Sequence, residues 1–100
     1  MTKTYSALGE RMEMRTLENG LRICYLPKEG FSKTFAILAT DFGSVDASFT
    51  FEGKRYDTPA GVAHFLEHKM FEDEDGNALQ KFARTGASPN AFTSHTMTAY

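Results

Sequence analysis

The 100-residue sequence reads as a chain of mixed strands and helices. Three observations carry that reading. An Asn-Gly turn, Asn19-Gly20, separates two segments of alternating strand-like character. The apolar run Phe35-Ala36-Ile37-Leu38-Ala39 has strand length, and two later segments carry helical spacing.

Taken in order, residues 1 to 9 are polar and are expected to be loose. Arg11 to Leu17 alternates as a strand, Glu18-Asn19-Gly20 turns it, and Leu21 to Leu26 returns with Leu21, Ile23 and Tyr25 on one face. Pro27 stops that strand because proline has no N–H for a ladder. Lys33 to Phe42 contains the apolar run and reads as a central strand buried on both faces, broken by Gly43-Ser44. Ala47 to Phe51, with Phe49 and Phe51 in phase, adds a short strand, and Glu52-Gly53-Lys54 turns into Arg55 to Thr58.

Thr58 suits a helix N-cap and Pro59 the first helical position, so a helix is expected to start there. Glu72-Asp73-Glu74-Asp75-Gly76 is expected as a solvated acidic loop. Asn77 to Arg84 reads as a second helix with Leu79, Phe82 and Ala83 inward, ended at Thr85-Gly86. Asn90 to Ser94 and Met97 to Tyr100 read as strands, and the second breaks off within its pattern, as expected of a fragment.

Composition narrows the function classes. Hydrophobic residues at 41% with nine Phe predict one small domain with a packed core. A formal net charge of −2 offers no argument for nucleic acid or for an anionic membrane. No apolar run reaches the roughly 18 residues a spanning helix needs, and the first residues lack the apolar stretch of a secretory signal. Cys24 stands alone, which leaves no disulfide framework and suggests an inert strand thiol in a reducing, cytoplasmic setting.

The chemistry-bearing stretch is His64-Phe65-Leu66-Glu67-His68. With His64 at zero on a helix, Glu67 falls near about −60° and His68 near about +40°, so the three share one face. Val62, Ala63, Phe65, Leu66 and Met70 occupy the far side, with Lys69 the polar exception. Neutral imidazoles one turn apart can converge on one zinc ion, and a neighbouring carboxylate can take a proton from an activated water and deliver it to a leaving amine. The spacing H-x-x-E-H is the inverzincin signature. An ion-paired solvated face is the bland alternative, but a surface helix would not carry so much apolar circumference. A satisfied core histidine accounts for one His at most. A purely structural zinc site would close all four positions, usually with Cys, and this chain has one Cys. His95 could approach the metal, but its place at an expected turn argues against a ligand role. Asn90 could bond substrate main chain or shape its own turn, and Tyr100 reads as a strand aromatic.

Several stretches together resemble one family. Gly61 to Phe71 is similar to the zinc helix of the pitrilysin/insulinase metallopeptidases. Asn19-Gly20-Leu21 with its following strand resembles the family's opening hairpin. Gly86-Ala87-Ser88-Pro89-Asn90-Ala91-Phe92-Thr93-Ser94, with Thr98-Ala99-Tyr100, resembles the segment after its second helix. The likeness runs from about Met14 on and looks closest to bacterial processing-peptidase-like proteins. It implies an α+β fold, a mainly antiparallel sheet with helices packed on one face. Residues 1–100 would be the N-terminal portion of one zinc-peptidase catalytic domain, with the rest of that domain and a second homologous domain outside this chain. The resemblance implies Zn2+ bound by His64 and His68, Glu67 as general base, and Asn90, Ala91, Phe92 and Thr93 as an edge strand pairing with substrate main chain. It places a third ligand, a glutamate, beyond this chain, so residues 1–100 alone are expected to be inactive. The implied reaction is endopeptidase cleavage of short unfolded peptides or leader segments by a water activated at the metal, with a homologous domain or subunit as partner. The alternative is a non-catalytic homologous subunit that binds peptides or scaffolds an active partner, and the three intact ionisable residues argue against it.

Overall fold

A computed structural model of the chain describes residues 1–74 and 76–100. Asp75, one residue of the expected acidic loop, lies outside the described residues. The chain divides into two compact units, Met1–Phe35 and Ala36–Tyr100.

The first unit is a three-stranded antiparallel sheet of β1 (Thr2–Tyr5), β2 (Glu10–Thr16) and β3 (Arg22–Tyr25), in that order. The Asn-Gly turn behaves as expected. Leu17 N–H donates to the Leu21 carbonyl at 2.8 Å, and the Asn19 side chain accepts from Leu21 N–H at 3.1 Å, setting Thr16 opposite Arg22. Residues 1 to 9 are not loose. Thr2 to Tyr5 pair with Glu13 to Glu10, and Ser6–Leu8 forms one 3-10 turn that reverses the chain. Side-chain polarity concealed this strand, because its stabilising groups are backbone donors and acceptors that any sequence possesses. Cys24 lies in β3, as expected, and is exposed.

The second unit carries β4 (Ala39–Thr40), β5 (Ser48–Phe51), β6 (Lys54–Asp57), α1 (Val62–Lys69), β7 (Glu72–Asp73), β8 (Gly76–Asn77), α2 (Ala78–Arg84), β9 (Phe92–Thr93) and β10 (Thr98–Ala99). A three-stranded sheet runs β4-β10-β9, and β5-β6 and β7-β8 form two separate hairpins. All of these pairings are antiparallel. In the β5-β6 hairpin, Phe49 stands opposite Tyr56 with rings stacked at 5.5 Å, and Phe42 meets Phe49 edge-on at 5.6 Å. Such pairs are the unit of sheet stabilisation.

The expected central strand over Lys33 to Phe42 is corrected. Only Ala39–Thr40 is strand, with Leu38 exchanging two 2.8 Å backbone bonds with Tyr100, and Phe35 is 87% exposed. The apolar run has the composition of a buried strand, but the backbone partners it finds extend only over Thr98 to Tyr100. The packed core expected from the Phe content is not formed among the described residues either. Among the described residues the buried apolar side chains are Ala63 and Ala99.

Helix α1 begins three residues later than Pro59 would place it. Thr58 is engaged elsewhere: its N–H and its hydroxyl both donate to the Ala47 carbonyl, at 2.7 and 2.8 Å, prolonging the β5-β6 ladder. Gly61 takes the N-cap position with φ +89°, a left-handed conformation that favours glycine. Helix α2 starts as read, with the Asn77 side chain accepting from Leu79 N–H at 2.8 Å. Its Leu79, Phe82 and Ala83 are exposed, contrary to the inward expectation, because the described residues of this unit leave them uncovered. The acidic segment is partly strand, β7 and β8, with Glu72 ion-paired to Lys69 at 2.5 Å and Asp73 to Lys81. Among the described residues no helix is long and apolar enough to cross a membrane.

Candidate active site

Helix α1 packs on β9 and β10, and the side it buries is that of Ala63 and Glu67. Ala63 is 2% exposed and Glu67 is 8% exposed, whereas Phe65 and Met70 on the far side are 61% and 68% exposed. Of the apolar residues expected on the far side, Ala63 is buried and Val62 half-buried, while Phe65, Leu66 and Met70 are exposed. The carboxylate is the group turned inward.

His64 and His68 are exposed, and their Nε2 atoms approach to 3.0 Å with ring centroids 4.8 Å apart. Two imidazole nitrogens sharing one tetrahedral zinc at about 2.0–2.1 Å each would lie about 3.3 Å apart. The pair therefore fits one ion between its nitrogens. Among the described residues no group of three His, Cys, Asp or Glu is assembled to hold a metal.

Glu67 faces the β9-β10 hairpin. Thr93 Oγ1 donates to Glu67 Oε2 at 2.5 Å, and Thr98 Oγ1 lies 3.5 Å from Thr93 Oγ1 while donating to the Phe42 carbonyl at 2.8 Å. Tyr100 closes the same side, its ring 5.7 Å from that of Phe71. Burial, and secondarily the negative charge of Glu67, push the Tyr100 phenol above its ordinary value.

A groove of about 320 Å3 runs beside these groups, lined by Glu67, His68 and Phe71 and by Pro89, Asn90 and Ala91 among others. A larger cavity of about 480 Å3 lies in the first unit, lined by Met1, Met14 and Arg22 among others, and contains none of the candidate site residues. The groove beside Glu67 is thus the chemically relevant one.

Asn90 Oδ1 accepts from Ala91 N–H at 2.9 Å, the turn-shaping role weighed for it. Phe92 and Thr93 form β9, which stands at the edge of its sheet, while Asn90 and Ala91 precede it as irregular backbone. His95 occupies the turn between β9 and β10, its Nδ1 3.3 Å from Ser44 Oγ. Gly43 is buried against that turn: a Cβ there would meet the His95 carbonyl carbon at 2.5 Å. Sequence reasoning missed Thr98 and the proximity of Tyr100 to Glu67. The register Thr98↔Thr93 brings the two threonines together, and a register is not legible in a two-residue strand.

Residues 49–100 match the family described as insulinase (peptidase family M16), and the chain belongs to that family. It is 49% identical over 98 residues to the "Uncharacterized zinc protease YmfH" of Bacillus subtilis, covering 96% of this chain and 23% of that protein. It is 35% identical over 96 residues to the "Probable mitochondrial-processing peptidase subunit beta" of Schizosaccharomyces pombe, covering 90% of this chain and 19% of that protein. A crystal structure of an M16-like peptidase from Alicyclobacillus acidocaldarius superposes with a TM-score of 0.84 at 42% identity, over 91% of this chain and 22% of the other. The mixed helix and antiparallel-sheet architecture is that of this neighbour. The chain spans about a fifth to a quarter of the length of the relatives it matches.

Proposed function

We propose that the full-length protein is a zinc-dependent endopeptidase acting on short unfolded peptides or leader segments. His64 and His68 are its metal ligands and Glu67 its general base. The observation that carries this reading is the convergence of the two Nε2 atoms at 3.0 Å, one helical step from a buried carboxylate beside a groove. When bound, the ion supplies Lewis-acid activation of water and of the scissile carbonyl. Glu67 has Oε2 engaged by Thr93, which leaves Oε1 to take a proton from the attacking water and deliver it to the departing amine. Residues 90–93 seat the substrate. Backbone groups at the edge of a sheet add an extended peptide as a further strand, giving affinity with loose side-chain selection. A peptide on that edge lies beside the groove lined by Glu67 and His68.

The chain is, on this proposal, the first portion of one catalytic domain, whose remainder supplies a third ligand. A homologous domain or partner subunit completes the enzyme; the relative from Schizosaccharomyces pombe is itself named as a subunit.

The test is cleavage of a library of unstructured quenched peptides by the full-length protein, alone and with any co-purifying partner, with and without chelator. Chelator-sensitive cleavage is expected. No cleavage in either preparation, with zinc confirmed present, would sink the endopeptidase reading and favour a peptide-binding subunit.

A further inference from the structure

We propose that Thr93 is the positioning residue for Glu67: its side chain orients the base while its main chain belongs to the strand that seats substrate. The proposal rests on the reading of Glu67 as general base. Glu67 is nearly buried, and a carboxylate withdrawn from water requires donors from the protein. Thr93 Oγ1 provides one at 2.5 Å, the short separation of a charge-assisted O–H···O bond.

The direction of that bond follows from a proton count. Thr98 Oγ1 has one proton, and a carbonyl oxygen can only accept, so the 2.8 Å contact to Phe42 uses it. Toward Thr93, Thr98 therefore offers lone pairs only. Thr93 has one proton and two acceptors in reach, Thr98 at 3.5 Å and Glu67 at 2.5 Å, and the short contact takes it. Thr98 is 3% exposed and paired across the ladder with Thr93, so it holds the donor from behind. One carboxylate oxygen is thereby fixed to β9, and the other is aimed by default.

The consequence is a link between substrate docking and base geometry. A peptide adding to β9 meets the backbone of the residue whose hydroxyl sets Glu67. Removing the hydroxyl while keeping the backbone should impair the chemical step and spare docking.

The experiment uses the full-length, zinc-loaded protein and a quenched peptide that it cleaves. Thr93→Val keeps the side-chain shape and deletes the donor. We expect kcat to fall about 10- to 100-fold, with KM and zinc stoichiometry changed by less than about threefold. Thr93→Ser should recover to within about threefold of the parent, because it restores the donor alone. In a crystal structure of Thr93→Val, the Glu67 carboxylate should leave its position against β9. Thr93→Ala gives the same two readouts should the valine variant fail to fold. Unchanged kcat, an equal loss in Thr93→Ser, a rise in KM alone, or an unmoved Glu67 would each overturn the proposal. Cleavage retained by Glu67→Gln would remove the base reading and this proposal together. Failure of the Thr93 role alone is distinguishable, as an inactive Glu67→Gln beside an active Thr93→Val.

Discussion

The Nε2 atoms of His64 and His68 stand 3.0 Å apart across one turn of α1. Two nitrogens that close can share a proton or hold a cation, and the metal reading makes them jointly necessary. In the full-length protein, His64→Ala or His68→Ala should each reduce bound zinc at least about tenfold at a fixed free-zinc concentration. Elemental analysis after dialysis reads the outcome. Full zinc occupancy in both variants would place the ion elsewhere.

Glu67 differs from His64 and His68 in burial, and the proposed reading gives it a different role. Glu67→Gln preserves size and can still accept from Thr93, but it cannot take a proton. Zinc content should stay at the parent level while kcat falls about 10²- to 10⁴-fold. Loss of zinc together with activity would make Glu67 a ligand and refute its assignment as the base.

Gly43 lies where the β9-β10 turn has no room for a side chain. A Cβ there would sit 2.5 Å from the His95 carbonyl carbon and 2.6 Å from Met97 N, both backbone atoms. Gly43→Ala should destabilise the full-length protein by about 1–3 kcal/mol, read from denaturant or thermal unfolding. It should also weaken peptide binding, since the displaced turn carries β9. An unchanged unfolding midpoint would mean that the turn shifts freely.

Asp57 contributes a pH dependence to stability. Arg55 first and Ser48 second, through hydrogen bonds to the carboxylate, hold it below its ordinary value. A carboxylate depressed in the folded state stabilises above its unfolded value of about 3.9 and loses that contribution as pH falls through the folded value. Asp57→Asn should therefore lower the thermal midpoint slightly near pH 7, and the difference should vanish at strongly acid pH. The group is exposed, so the effect is small and should shrink further with salt. A difference that grew on acidification would contradict the assignment.

Local pattern and tertiary arrangement divide this protein between them. The Asn19-Gly20 hairpin, the capped start of α2 and the shared face of His64, Glu67 and His68 were legible because each depends on residues within a turn or two. The strand at Thr2–Tyr5 was not legible, since backbone pairing leaves little mark on side chains. Thr58 looked like a cap until its donors were found on Ala47, eleven residues away. The apolar run near Phe35 failed in the opposite way, having strand composition with too few partners.

The amino-acid pattern by itself determined which residue types stand one helical turn apart, and so the chemistry available. Only the tertiary structure decided that Glu67 turns inward while both histidines stay exposed, and that Thr93 holds its carboxylate with Thr98 behind it. Helical spacing is a local consequence of 3.6 residues per turn. Which sector of the helix meets the sheet is settled by contacts between residues far apart in the chain, such as Glu67 and Thr93 at 26 positions, and no local period encodes those.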